Sequence, residues 1–154
     1  MIYKDSKEYL LKQGLIKKCP INHNVIKNLL KRAGTDLKTA KRNLELDEEC
    51  AYNYAYNALL RSGLALMCSL GFRPDIKDKH LTVVRFSSTV LGNEFKQLIN
   101  DYDVMRKKRH RFIYEPDIPC SIKEAKDAIK TAEKFVDKIS KIISAENPQY
   151  KFKF

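Results

Sequence analysis

Ile122-Lys-Glu-Ala-Lys-Asp-Ala-Ile-Lys-Thr-Ala-Glu-Lys-Phe-Val-Asp-Lys-Ile-Ser-Lys-Ile-Ile143 decides the fold. Ile122, Ala125, Ile129, Ala132, Val136, Ile139 and Ile143 follow one another in steps of three and four. That spacing draws one apolar stripe down a helix packed lengthwise against others. Ser121 with Glu124 supplies a capping box at its start, and Asn147-Pro148 ends it. The same stepping recurs upstream at Ile26, Leu30, Ala33, Leu37, Ala40 and Leu44.

Three further helical stretches lie between these two. One opens at Asp47-Glu-Glu, where acids suit the positive end of the helix dipole. Its packed face is Ala51, Ala55, Ala58, Leu59, Leu66 and Leu70, and Gly71 with Pro74 stops it. A second runs over residues 79–90 and breaks at Gly92-Asn93. The third carries the seam Phe95, Leu98, Tyr102, Met105, Arg109 and Phe112, and Pro116 and Pro119 end it. A short amphipathic helix is expected near residues 6–13. Thr82-Val-Val-Arg-Phe86 is the one β-favouring run, with no second run to pair with it. The expected architecture is all-α, an up-and-down bundle of four to five helices. Its expected organisation is a helical N-terminal extension (1–21), the bundle (22–146) and a C-terminal tail (147–154).

The chain has 154 residues, a size suited to one domain with a substantial core. Its formal net charge is +11, which favours polyanionic partners, nucleic acid first among them. A solvated basic surface is the competing explanation, because charge alone specifies no ligand. The start, Met1-Ile-Tyr-Lys-Asp-Ser-Lys-Glu8, has no signal-like apolar run, and the apolar stretch at 64–72 is too short to span a bilayer. Cys19, Cys50, Cys68 and Cys120 form no CxxC, and His23, His80 and His110 show no metal-site spacing. These features point to a cytoplasmic, reduced protein without metal or cofactor, off the membrane.

The densest charge lies inside a helix, in Asp101-Tyr-Asp-Val-Met-Arg-Lys-Lys-Arg-His-Arg-Phe-Ile-Tyr-Glu115. Arg109 falls on the packed seam, where an aliphatic residue is expected. Asp103, Arg106 and His110 share an adjoining face, and Tyr114 extends it by one turn. A cation at a packed surface needs a polar or anionic partner. The structural reading pairs Asp103 with Arg106 locally and bridges Arg109 to Glu48 or Glu49 on a neighbouring helix. The functional reading gives Arg106, Lys107, Arg109, His110 and Tyr114 to a phosphate backbone, since the planar guanidinium fork suits phosphate.

This segment, with Ala51-Tyr-Asn-Tyr-Ala-Tyr-Asn-Ala-Leu-Leu60, Leu70-Gly-Phe-Arg-Pro74 and His80-Leu-Thr-Val-Val84 in the same order, resembles the HEPN domain family over residues 22–143. The resemblance implies a four- or five-helix bundle, a two-fold homodimer, and RNA or nucleotide as ligand. It also implies a place in a toxin–antitoxin or nucleotidyltransferase-linked system, with a nucleotidyltransferase-type protein as partner. In members that cut RNA, an Arg, a polar residue and a His follow one another on one helix, and two such motifs meet across the dimer. Matching positions gives Arg109, His110 and, where the His is expected, Tyr114. Tyrosine, with a pKa near ~10, is a poor base at neutral pH. Pairing Arg106 with His110 restores a His at a shorter spacing. The chain is thus similar to the branch with Tyr followed by an acid, for which nuclease activity is not implied. Three readings stand: an RNA or nucleotide binder, a metal-independent endoribonuclease using His110, Arg109 and Tyr114, and an interaction module whose basic face docks an acidic partner.

Overall fold

Polar side chains set where most of the helices begin. In the computed structural model, which describes residues 5–148, Ser6 accepts from the amide of Tyr9 at the start of α1 (Lys7–Lys12). Asn22 accepts from the amides of Asn24 and Val25 to open α2 (His23–Asn43). Asp47 accepts from the amide of Cys50 to open α3 (Glu48–Ser69). The Ser121–Glu124 capping box opens α6 (Ile122–Glu146), as its sequence predicts. The other two helices, α4 (Lys79–Leu91) and α5 (Lys96–Tyr114), have no side-chain cap. Gly92, at φ 75°, turns the chain out of α4, and a 3-10 turn at Asn93–Phe95 leads into α5. The predicted C-terminal residues 149–154 lie outside the described residues.

The bundle closes around α3, which packs against α2, α4, α5 and α6. Its buried positions lie on every side of the helix, including Ala51, Ala55, Ala58, Leu59, Ala65 and Leu66. The predicted seams of α2 and α6 face inward, except that Ile122, in the first turn of α6, is largely exposed. An aromatic column crosses the core. Tyr56 meets Tyr102 edge-on at 6.0 Å, and Tyr102 meets Phe135 at 5.1 Å. Edge-to-face rings at such distances contribute beyond their buried area.

One feature departs from the sequence reading. Ile16–Lys18 (β1) and Phe72–Pro74 (β2) form a two-stranded antiparallel ladder with Ile16 opposite Pro74. Three-residue strands are too short to show an alternating pattern. The positive φ of Gly71 swings the chain back after α3, and its carbonyl accepts from the amide of Cys19 at 2.9 Å. The run Thr82–Phe86 belongs to α4 instead, where Thr82, Val83, Val84 and Phe86 are buried on the bundle. The N-terminal segment is fastened to the same helix. Leu10 is fully buried, and the Asp5 carboxylate receives two hydrogen bonds from Arg85, at 2.8 and 2.7 Å.

Gly63 sets the closeness of α3 to α4. A Cβ there would overlap Val83 Cγ1 and come within 3.5 Å of Ser87 Oγ. Val83 is fully buried and β-branched, so it has little room to yield. Overpacking of this kind costs about 1–3 kcal/mol, against a helix-propensity gain of about 1 kcal/mol for Ala over Gly. Gly63→Ala is therefore expected to lower the thermal midpoint. An unchanged or raised midpoint would mean that α4 does not depend on Gly63 for its approach.

Candidate functional site

On α5, Ile99, Tyr102, Met105 and Phe112 are buried against the bundle. Position 109 continues that line, and its arginine is half-buried. The guanidinium carbon of Arg109 lies 5.2 Å from the centre of the Tyr56 ring, a cation–π contact with the core. Its Nε is buried and has no hydrogen-bond partner among the described residues.

The rest of the basic cluster is paired. Asp103, nearly fully buried, accepts from Arg106 Nε at 2.8 Å and meets Lys107 Nζ at 3.3 Å. Lys108 bridges to Glu124 on α6, and Arg111 bonds Glu115 at 3.0 Å. Arg109 has no carboxylate partner among the described residues, and the bridge to Glu48 or Glu49 is not formed. Each residue of a helix is turned about 100° from the last. Lys108 therefore faces α6 and Arg109 faces α3 and α4.

Arg109 opens onto a groove of about 430 Å³ between the start of α4 and the last turns of α5. Arg106, Arg109 and His110 line it from α5, Lys79 and His80 line it from α4, and Asp78 lines it from the cap of α4. Two of the predicted site residues stand outside. Lys107 is exposed and turned to Asp103, while Tyr114, 69% exposed, packs its ring against His110 at 4.6 Å. Another groove, of about 400 Å³, runs between α5 and α6, but acids balance its lysines there and the Lys108–Glu124 pair lines it.

The sequence reading did not count His80 among the site residues. Its Nδ1 lies 2.7 Å from the Tyr56 hydroxyl, and its ring is parallel to the Tyr56 ring at 5.7 Å. Burial, and then the charges of Arg109, Lys79 and Arg106, push its pKa below the ordinary histidine value. Burial raises the pKa of the Tyr56 phenol, against the opposing pull of Arg109 and Arg106. The groove thus holds cations beside an imidazole kept neutral, and the Asp78 carboxylate in its lining makes no salt bridge to Arg109 among the described residues.

This is a helical bundle with a cation-lined groove built across two helices. Residues 26–143 match the sequence model of the HEPN domain, and the chain belongs to that family. No curated protein matches it. Among the described residues no helix is long and apolar enough to cross a membrane.

Two stability predictions follow from these pairings. Asp103 is the shared acceptor of Arg106 and Lys107, so Asp103→Ala leaves both cations without it and is expected to cost about 1–3 kcal/mol. Arg109→Ala loses one cation–π contact of about 0.5–2 kcal/mol and relieves repulsion from Arg106, so it should cost less. Chemical denaturation ranks the two, and a larger loss for Arg109→Ala would reveal a stabilising partner for that guanidinium. His80 adds a pH dependence. Its folded pKa lies below the unfolded value of 6.5, so the unfolded chain binds the proton more readily. Its contribution to stability is present above 6.5 and is lost as pH falls toward the lowered folded value. His80→Gln should flatten stability across that acid window, and an unchanged slope would remove His80 as its source.

Proposed function

We propose that the groove between α4 and α5 binds the phosphate of an RNA or a nucleotide. Arg109 carries the reading. It is a cation held against the core by Tyr56, with a buried Nε that has no hydrogen-bond partner and no salt bridge among the described residues. A guanidinium kept in that state is preorganised for a phosphate oxygen. Arg106 contributes a second guanidinium whose position Asp103 fixes, and His110 and Lys79 add donors at the edge. Lys107 and Tyr114 belong to the outer surface, where a longer RNA would run.

The working unit in this proposal is a homodimer with α5 near the two-fold axis. Val104, a large apolar side chain that α5 leaves 61% exposed, supports that contact. Membership of the HEPN family supports a role in a toxin–antitoxin or nucleotidyltransferase-linked system, with a nucleotidyltransferase-type partner. A metal-independent endoribonuclease is the second reading, favoured by His110 beside two arginines. In it His110 takes the proton of the ribose 2′-hydroxyl, and the arginines stabilise the phosphorane charge.

Titration of a short single-stranded RNA and of ATP against salt tests these readings. Arg109→Ala and Arg106→Ala should each weaken RNA binding irrespective of sequence and reduce the salt slope by about 0.7. Lys141→Ala, on an exposed lysine paired with Asp137, should leave both unchanged. RNA products ending in 2′,3′-cyclic phosphate without added metal, abolished by His110→Ala, would select the nuclease. Wild-type protein that neither binds nor cuts would leave docking of an acidic protein as the surviving reading. Sedimentation at micromolar concentration should show twice the chain mass of 17.9 kDa, and a single species at that chain mass would exclude the dimer.

A further inference from the structure

His80 occupies the first turn of α4, and its ring edge reaches both the core and the groove. The core contact fixes which nitrogen carries the proton. Tyr56 is fully buried, and burial keeps its phenol protonated at neutral pH. That proton needs an acceptor, because a buried donor left without one is costly. Among the described residues, the hydrogen-bond partner of the Tyr56 hydroxyl is His80 Nδ1, at 2.7 Å. With Nδ1 accepting, the single ring proton of a neutral His80 sits on Nε2. Nδ1 is thereby committed to the core, and Nε2 is the nitrogen left for the groove that His80 shares with Arg106, Arg109 and His110.

We propose that His80 is a ligand-binding residue of the groove, a neutral imidazole oriented by Tyr56 whose Nε2–H donates to an oxygen of the phosphate bound by Arg109. This rests on the phosphate-binding reading above and adds a residue and a protonation state to it. Tyr56 acts at both ends of the arrangement. Its ring face supports Arg109 and its hydroxyl sets the His80 tautomer. The two donors are thus referred to one buried side chain, and their separation is set by the core rather than by the surface. The cations that bear on His80 are Lys79 on its own helix and Arg106 and Arg109 on α5, and Asp78 at the cap of α4 and His110 on α5 share the groove with it. A bound phosphate offsets the three cations, so the imidazole pKa should rise on binding. Affinity should then increase as pH falls through the bound-state pKa, and level off below the free-state value.

Imidazole nitrogen NMR on the wild-type protein reads the tautomer directly. At about pH 7.5, His80 should be protonated at Nε2 and bare at Nδ1, and Tyr56→Phe should mix the two tautomers. Saturation with a short single-stranded RNA, or with ATP, should shift the Nε2 signal and raise the His80 pKa. The probe that does so identifies the source of the phosphate. In binding assays His80→Ala should weaken affinity about three- to tenfold, the worth of one hydrogen bond. His80→Gln, which keeps an N–H donor, should lose less, and should lose the rise in affinity at low pH that His110→Gln retains in part. Tyr56→Phe should weaken binding in the wild-type background and add little to His80→Ala. A His80 proton found on Nδ1, or His80→Ala binding within about twofold of wild type, would overturn this proposal alone. If wild-type protein binds neither probe, the phosphate reading itself fails and this proposal with it.

Discussion

The enclosure of α3 by four other helices is the constraint on which the rest depends. A helix surrounded on most sides must be small where neighbours approach closely and large where gaps remain. Ala51, Ala55, Ala58, Gly63 and Ala65 meet the first requirement, and Tyr52 and Tyr56 the second. A tyrosine inside such a core brings a hydroxyl that needs a partner and a ring face rich in electron density. Tyr56 resolves both at the edge of the bundle. Its hydroxyl goes to His80 on α4 and its ring to Arg109 on α5. The functional groove is therefore a consequence of how the central helix is buried.

Charge accounting on α5 leads to the same place. A cluster of five cations in six residues is tolerable when each has an acid within reach, and the helix supplies Asp103 and Glu115 while α6 supplies Glu124. The exception is Arg109, which faces α3 and α4 rather than α6. Its neighbour across the groove is His80, whose pKa burial and the nearby cations hold down. A second positive charge at that position would sharpen the repulsion. The neutral imidazole thus belongs to the same balance that leaves Arg109 without a carboxylate.

Much of this was legible in the sequence, and the exceptions have physical causes. The seams of α2 and α6 repeat over many turns, so the three-and-four stepping identified them and their inward faces. Arg109 stood out because it interrupts such a seam, and the local Asp103–Arg106 pair followed from their spacing of three residues. The β1–β2 ladder was not legible. It joins three-residue segments separated by the whole of α2 and α3, and its register depends on a turn at Gly71. His80 was visible only as part of a family-like segment. Its core contact lies 24 residues away in sequence, with Tyr56, which is not among the positions that the sequence assigns to the packed face of α3. The bridge from Arg109 to Glu48 or Glu49 failed for a related reason, since the spacing on one helix does not say which neighbour each face will meet.

The groove's chemistry narrows what it can do. Its certain donors are guanidinium and ammonium groups, which accept no proton at neutral pH. A general base must come from an imidazole, and the two imidazoles differ. His80 has Nδ1 tied to a phenol, so using it as a base would require breaking that bond or moving its proton. His110 is exposed and its ring packs at a tilt against Tyr114 rather than on the core, so no comparable restraint fixes its tautomer. In the proposed reading the inner face, held by Tyr56, suits recognition, and the outer face retains the freedom that acid–base chemistry needs. Tyr114 adds a phenol to the outer surface, a residue type poorly suited to act as a base. On that balance of groups the proposed phosphate would be held at the inner face, and cutting would rest on His110 alone.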